Sequence, residues 1–204
     1  MNDIEFAALL VSRVCHDLVS PVSAVGNGLE VLADERDAGM RADALALVTS
    51  SAEQVAARLK FSRIAFGAAG AVGAELDLTE VCRLIDGVFL GTKMELAWQA
   101  PPLNWPKNWA KLLMNAALVV ADSLPRGGRI AVETSEDPAA PRFTVRGTGL
   151  NARFREDSER AARGDDTGVE SRSIQAFFTY KLARALNAGL TLTALDGAVE
   201  VAAG

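Results

Sequence analysis

Two stretches near the N-terminus place apolar residues at alternating intervals of three and four, the spacing of one face of an α-helix. The first runs from about residue 4 to 32 and the second from about 41 to 66, with a short polar turn between them. The apolar positions are Val11, Val14, Leu18, Pro21, Val25, Gly28 and Leu32 in the first stretch, and Leu45, Val48, Ala52, Val55, Leu59, Ser62 and Phe66 in the second. This pattern predicts an antiparallel helical hairpin.

A hairpin of this kind leaves much of both apolar faces in contact with water. Two copies related by a two-fold axis would form a four-helix bundle with a filled core, and we therefore expect a homodimer. The alternative is that the apolar faces pack against the C-terminal half of the same chain.

Beyond the hairpin, the pattern changes from helical to mixed. The glycine- and alanine-rich residues 67–73 predict a linker. Strands are expected at 75–78, 94–98, 129–134, 142–146, 190–195 and 198–201, and helices at 79–90, 106–124, 151–163 and 171–186. Thr79 is the expected cap of the first of these helices, and Pro101 and Pro102 mark a loop. The order predicts an α+β chain with a hairpin domain over residues 1–68 and a two-layer α/β sandwich over residues 74–204.

Composition narrows the classes of function. The chain has 204 residues, half of them apolar, and a net charge of −5, which excludes a general nucleic-acid-binding protein. We expect no membrane segment, because no stretch reads as both long and apolar enough, and no signal peptide, because the N-terminus carries acids. The expected location is the cytoplasm. With Cys15, Cys82 and a single histidine, we expect neither a disulfide framework nor a metal site.

The single histidine, His16, falls opposite the apolar face of the first helix when about 100° is allowed per residue. Its neighbour Asp17 is acidic, and small or polar side chains share its face: Ser12, Arg13, Ser20, Ser23 and Asn27. Such an exposed histidine indicates a reaction that a second, large molecule must reach. The alternative is an incidental histidine on a solvated helix face.

Two strings of the chain resemble sensor histidine kinases. HDLVSPVSAV resembles their phosphoacceptor box, and KLLMNAALVVADSLPRGGRIAV resembles the segment with the Mg²⁺-binding asparagine, which would be Asn115 here. The rest of the nucleotide site is missing. The kinase pattern has an adenine-binding aspartate where FTVRGTGL has Val145, and SRSIQAFFTYKLARALNAG lacks the glycines that let backbone donors approach phosphates. Phe177, Phe178 and Tyr180 stand there instead.

This combination, with RLKFSRIAFGAAG at the end of the second helix, is similar to the alphaproteobacterial histidine phosphotransferases of the ChpT type. The resemblance implies a dimeric phosphorelay protein that takes a phosphoryl group from the receiver domain of a hybrid histidine kinase. It implies that His16 passes this group to the receiver domain of a response regulator. We expect no cofactor of the protein's own, because the receiver supplies Mg²⁺. Two alternatives remain: a divergent kinase that still uses ATP, and a non-catalytic dimeric scaffold.

The residues around His16 have expected roles with ordinary alternatives. Asp17 either holds the imidazole in one tautomer and stabilises its developing charge, or is a solvated helix charge. Arg13 either meets a phosphoryl oxygen or is a plain surface arginine. Ser20 either orients a hydrolytic water or only faces solvent. Docking of a receiver is expected to use the following residues: Ser12, Ser23, Asn27, Lys60 and Arg63. Asn115 is interpreted as inherited architecture.

Overall fold

The computed structural model describes residues 1–67 and 73–204 and opens with the predicted helical hairpin. Helix α1 (Asp3–Asp34) begins at a capping box in which Asn2 and Glu5 exchange hydrogen bonds, and it continues through Pro21. Helix α2 (Ala38–Ala65) follows after three residues, and the side chain of Asp37 caps it by accepting from the Met40 amide. The turn is therefore shorter than predicted.

The second part of the chain is a mixed α/β unit. Its elements are β1 (Glu75–Asp77), α3 (Leu78–Phe89), β2 (Met94–Gln99), β3 (Asn104–Pro106), α4 (Lys107–Asp122), β4 (Gly128–Thr134), β5 (Phe143–Thr148), α5 (Glu156–Ala162), α6 (Ile174–Ala185), β6 (Leu190–Leu195) and β7 (Ala198–Ala203). Five strands form one sheet in the order β2-β4-β5-β7-β6, in which only β2 and β4 pair in parallel. The α+β fold class is confirmed.

Several local predictions need correction. Strand β3 was expected as loop because it lies among prolines, but it pairs antiparallel with β1. Asp77, not Thr79, caps α3, because the Asp77 carboxylate accepts from the Thr79 amide. Helix α5 begins five residues later than the predicted 151 and α6 three later than 171, since loop residues precede both. The predicted linker 67–73 lies mostly outside the described residues, as does the boundary at residue 68.

The core of the α/β unit centres on α4 and the sheet. Val145 in β5 is fully buried and pairs with Val132 of β4 and Val201 of β7. At Gly147 an added Cβ would stand 2.6 Å from Cγ1 of Val120, so a glycine there lets α4 pack close to the sheet. The position where a kinase places its adenine-binding aspartate is therefore a core position in this protein.

The hairpin divides its apolar residues between two faces, which corrects the prediction of one face per helix. One face joins α1 to α2, which approach so closely that a Cβ at Gly28 would lie 2.6 Å from Cγ2 of Val48. The other face is open within the single chain. Val11, Leu45 and Leu59, which were predicted to lie in the apolar faces, are 61%, 56% and 49% exposed.

Helix α1 also corrects the expectation that no stretch is long and apolar enough to cross a bilayer. Among the described residues it is the one helix that is long and apolar enough by length and composition, and little of it is buried. The physical reason is that α1 carries apolar residues on the face towards α2 and on the open face as well. The same helix holds Arg13, His16 and Asp17.

Candidate functional site

His16 lies in the middle of α1 and projects into solvent, as the helical periodicity predicted. Its side chain is 85% exposed, and its Nδ1 lies 3.5 Å from Oδ1 of Asp17. That separation is longer than a hydrogen bond but short enough for a direct electrostatic interaction. The carboxylate therefore stands on the Nδ1 side of the ring, and Nε2 is the nitrogen left to meet another molecule.

Arg13 is neither a plain surface arginine nor a free cation. Its side chain is only 13% exposed: Nε donates to Oδ2 of Asp17 at 3.0 Å, and the two terminal nitrogens donate to the carboxylate of Asp122 at 2.7 and 3.0 Å. Burial disfavours the charged guanidinium, but Asp122 and Asp17 outweigh it and raise the pKa of Arg13 above its ordinary value. Arg13 thus ties α1 to the end of α4.

Asp17 is held in place from two further directions. Its carboxylate receives the Arg13 guanidinium on one oxygen and faces His16 with the other. Its main-chain carbonyl accepts a hydrogen bond from Nη1 of Arg58 on α2. Fixing both the backbone and the carboxylate restricts where the charge beside His16 can lie, which is what an electrostatic partner of a reacting group requires.

The α/β unit contributes a second wall to the His16 site, which the sequence did not reveal. A cleft of about 270 Å³ is lined by Arg13, His16, Asp17, Asp122, Arg155, Ser171 and Arg172. Arg155 pairs with Asp157 at 2.7 Å, and Arg172 pairs with Glu170 at 3.2 Å. Burial acts to raise the pKa of Asp157, but the hydrogen bonds from Arg155 bring it below its ordinary value. Both arginines present cationic groups to a site that is open to solvent.

The other predicted site residues lie outside this cleft. Ser12, Ser20, Ser23 and Asn27 are all exposed on α1, and Lys60 and Arg63 are exposed on α2. They remain predictions as docking residues. Asp122, Arg155 and Arg172 were missed. Asp122 gave one signal, because it is a single acid in the apolar run LVVADSL and shares a helical face with Asn115.

Asn115, at the position of the kinase metal ligand, is not free to bind a metal ion. It is fully buried, and its Oδ1 accepts a hydrogen bond from Nε2 of Gln175 at 2.7 Å. Its Nδ2 donates to the carbonyls of Ala65 at 3.1 Å and Lys111 at 2.7 Å. Because Asn115 is fully buried and its amide oxygen already accepts from Gln175, this side chain does not fit an open ligand position for Mg²⁺.

Aromatic rings occupy the place of the kinase glycine loop. Phe177 and Phe178 on α6 stand 6.1 and 6.0 Å from Phe6 of α1, and Phe178 stands 5.7 Å from Phe66. Rings at these separations pack against one another. In residues 1–67 and 73–204, moreover, His, Cys, Asp and Glu side chains nowhere gather in threes as a metal site would require.

Comparisons with known proteins agree with this architecture. Residues 78–197 match the family described as the histidine phosphotransferase C-terminal domain. A protein phosphotransferase ChpT from Brucella abortus (strain 2308) is 39% identical over 187 residues, which cover 90% of this chain and 87% of that protein. A solved structure of a bacterial phosphotransferase is 32% identical with a TM-score of 0.87, over 100% of this chain and 98% of that one. The chain therefore belongs to the histidine phosphotransferase family.

Proposed function

We propose that the protein carries a phosphoryl group on His16 within a phosphorelay, receiving it from one receiver-domain aspartate and giving it to another. The observation that carries this proposal is the exposure of the chain's single histidine beside a carboxylate that two arginines hold in place. Family membership supports the same reaction class.

The transfer needs a nucleophile with a lone pair and a leaving carboxylate. Nε2 of a neutral His16 attacks the phosphorus of the receiver's aspartyl phosphate, the P–N bond forms as the P–O bond breaks, and the aspartate leaves as a carboxylate. The imidazole ring becomes positively charged, and Asp17 beside Nδ1 stabilises this charge. Onward transfer reverses these bond changes with a second receiver aspartate.

Phosphoryl transfer depends mainly on alignment and on neutralising the charge of the oxygens. Arg155 and Arg172 supply cationic groups on the α/β side of the cleft. In this proposal the receiver brings Mg²⁺, and the protein uses no cofactor of its own. The exposed serines of α1 keep the side chains near His16 small, and the exposed polar residues Asn27, Lys60 and Arg63 extend the surface of the hairpin on which the receiver docks.

We also infer that two copies pair through the hairpin. On α1 the open face carries Ile4, Val11, Val22 and Leu29, and on α2 it carries Leu45 and Leu59. Ile4 and Val11 are seven residues apart, as are Val22 and Leu29, and Leu45 and Leu59 are fourteen apart. Multiples of seven are the heptad spacing of a four-helix bundle. A second copy would cover this face and account for the bilayer-like hydropathy of α1.

We propose a cytoplasmic location, because the proposed dimer covers the apolar face of α1 and the ion pairs of this helix do not suit a bilayer. If α1 crossed a bilayer, the Arg13–Asp122 pair would have to break and the charges of Arg13 and Asp17 would enter hydrocarbon. Each such charge is costly there. A soluble four-helix bundle covers the apolar residues and leaves these ion pairs intact.

The experiment that tests the proposal compares two donors. The protein is incubated with labelled ATP alone, and separately with a receiver domain carrying labelled aspartyl phosphate. Labelling by the receiver only, lost in His16→Ala, is the expected result. Label from ATP alone would instead indicate a divergent kinase, and label from neither would indicate a non-catalytic scaffold.

A further inference from the structure

One face of α4 points at the hairpin along its whole length. Lys111, Asn115, Leu118 and Asp122 follow each other at intervals of four, three and four residues, which places them on a single helical face. Nζ of Lys111 donates to the carbonyl of Gly67 at 2.6 Å. The remaining polar members reach the hairpin too, Asn115 through Ala65 and Asp122 through Arg13. Each end of the face therefore makes a directional contact with the other domain.

Helix α6 strengthens the same junction from the side. Gln175 donates to Asn115 at 2.7 Å and is itself buried, so it fixes the amide plane of Asn115 towards Ala65. One turn further, Phe178 packs between Phe6, near the start of α1, and Phe66, which follows the last residue of α2. Polar and apolar contacts thus meet at one place.

These hydrogen bonds satisfy groups that α2 cannot satisfy by itself. The last carbonyls of a helix have no donor within that helix. Ala65, the last residue of α2, is fully buried, and its carbonyl finds the Asn115 amide of the other domain. Apolar contacts tolerate sliding, whereas a buried hydrogen bond that is lost leaves its partner unsatisfied. These buried hydrogen bonds therefore favour one orientation of the α/β unit relative to the hairpin.

We infer that Lys111, Asn115, Asp122 and Gln175 form an interdomain clasp that holds the α/β unit in one orientation against the hairpin and keeps Arg155 and Arg172 beside His16. The metal-binding position of the kinase pattern has become a positioning residue. The existence of the clasp rests on the contacts alone, and its consequence for transfer rests on the proposed function.

The first arm of the test measures domain orientation. Spin labels are placed on exposed sites of the two domains with Glu30→Cys on α1 and Thr193→Cys on β6, after Cys15 and Cys82 are replaced by serine. Labelled chains are diluted into unlabelled chains so that only distances within one chain are seen. We expect a single narrow distribution, which broadens in Asn115→Ala, Gln175→Met and Lys111→Met.

The variant Lys111→Met distinguishes a role in orienting the two domains from a role in folding stability alone. Burial, reinforced by Lys107, lowers the pKa of Lys111, so removing this charge relieves a desolvation cost while the methionine keeps most of the volume. We expect an unchanged or higher melting temperature together with a broader distribution. The control is Ser123→Ala, because Ser123 is buried just after α4 but its hydroxyl donates to the Val119 carbonyl of the same helix and not to the hairpin. Its distribution should stay narrow.

Clasp variants with the same narrow distribution as Ser123→Ala would overturn the inference. The second arm measures transfer from a phosphorylated receiver. If loosening leaves about one tenth of the molecules in the competent orientation, KM rises about tenfold while kcat changes little. An unchanged KM in variants with broadened distances would refute the link to transfer. If the unmodified chain accepts no phosphoryl group, the proposed function fails, and the distance arm still decides whether the clasp exists.

Discussion

The hairpin and the α/β unit differ in how much of their apolar surface is buried within the single chain. Eleven of the sixteen residues of α4 are buried, whereas α1 buries two of its thirty-two. The α/β unit closes its core within a single chain. The hairpin leaves an apolar face open, and the exposed His16 lies on the same helix as that face. The proposed reaction therefore takes place on the hairpin, the part of the molecule whose apolar face needs a second molecule to cover it.

The same contrast holds at the positions that correspond to the kinase pattern. In the α/β unit, positions that the kinase pattern uses for ligands belong to the protein's own packing: the side chain of Val145 in β5 is buried in the core, and Asn115 bonds to the hairpin. The hairpin, in contrast, leaves its histidine exposed, as the proposed transfer to a receiver domain requires.

The largest effect is expected from a charge placed in the closed core. Val145→Asp puts a carboxylate with no partner into a fully buried position, which should cost more than about 4 kcal/mol and leave the α/β unit unfolded at every protein concentration. Urea denaturation measures the loss. The matched control is Thr148→Asp on the exposed side of the same strand, opposite Arg129, and it should change stability by less than about 0.5 kcal/mol.

A charge placed on the open face of the hairpin should act differently. Leu59→Glu removes an apolar contact of the proposed dimer, at a cost of about 2–5 kcal/mol of association free energy, so the chains sediment as monomers at concentrations where the unmodified protein is dimeric. Phosphoryl acceptance should fall with the dimer. Ser50→Glu, at an exposed polar position on the side of α2 opposite Leu59, is the control and should leave the dimer intact. A fully active Leu59→Glu dimer would show that the copies meet elsewhere.

A smaller effect is expected at the ion pair that joins the two regions. Asp122→Asn leaves the mostly buried Arg13 with Asp17 as its single carboxylate, which should cost about 1–3 kcal/mol. Thermal unfolding compares it with Glu80→Gln, which removes an exposed pair with Arg83 and should cost less than about 1 kcal/mol. Equal losses in both variants would mean that Arg13 contributes no more than a surface pair.

The smallest effect on stability is expected at His16 itself. Its side chain is 85% exposed, so His16→Ala should change the free energy of unfolding by no more than about 0.5 kcal/mol and should leave the oligomeric state unchanged. Circular dichroism and sedimentation check both points. An unfolded or monomeric His16→Ala variant would assign the imidazole a structural role instead.

The sequence was most informative where structure depends on local spacing. The exposure of His16 follows from counting residues along α1, and the strand and helix order of the α/β unit follows from periodicity. Contacts between segments that are far apart in the sequence leave no periodic pattern by which they could be predicted. Strand β3 forms because β1 pairs with it, and Arg155 and Arg172 come to the His16 cleft because α4 and α6 dock on the hairpin.

Helix α2 shows a further limit of spacing. Its apolar residues serve two partners on neighbouring faces, and a single repeat of three and four cannot separate a face that meets α1 from one that stays open. Ala44 and Ser51 turned out to be buried, whereas Leu45 and Leu59 are exposed. Small side chains at the close helix contact and larger ones outside it are set by how near the two backbones approach, a property of the packed hairpin.

The most direct test of His16 as the phosphoryl acceptor is to locate the phosphoryl group after transfer. The protein is incubated with a phosphorylated receiver domain and digested with trypsin, and the peptide between Arg13 and Arg36, which contains the chain's single histidine, is analysed by mass spectrometry. We expect an acid-labile, base-stable phosphoryl group on His16 with the receiver as donor and none with ATP alone. A phosphoryl group on any other residue, or on His16 with ATP alone, would contradict this expectation.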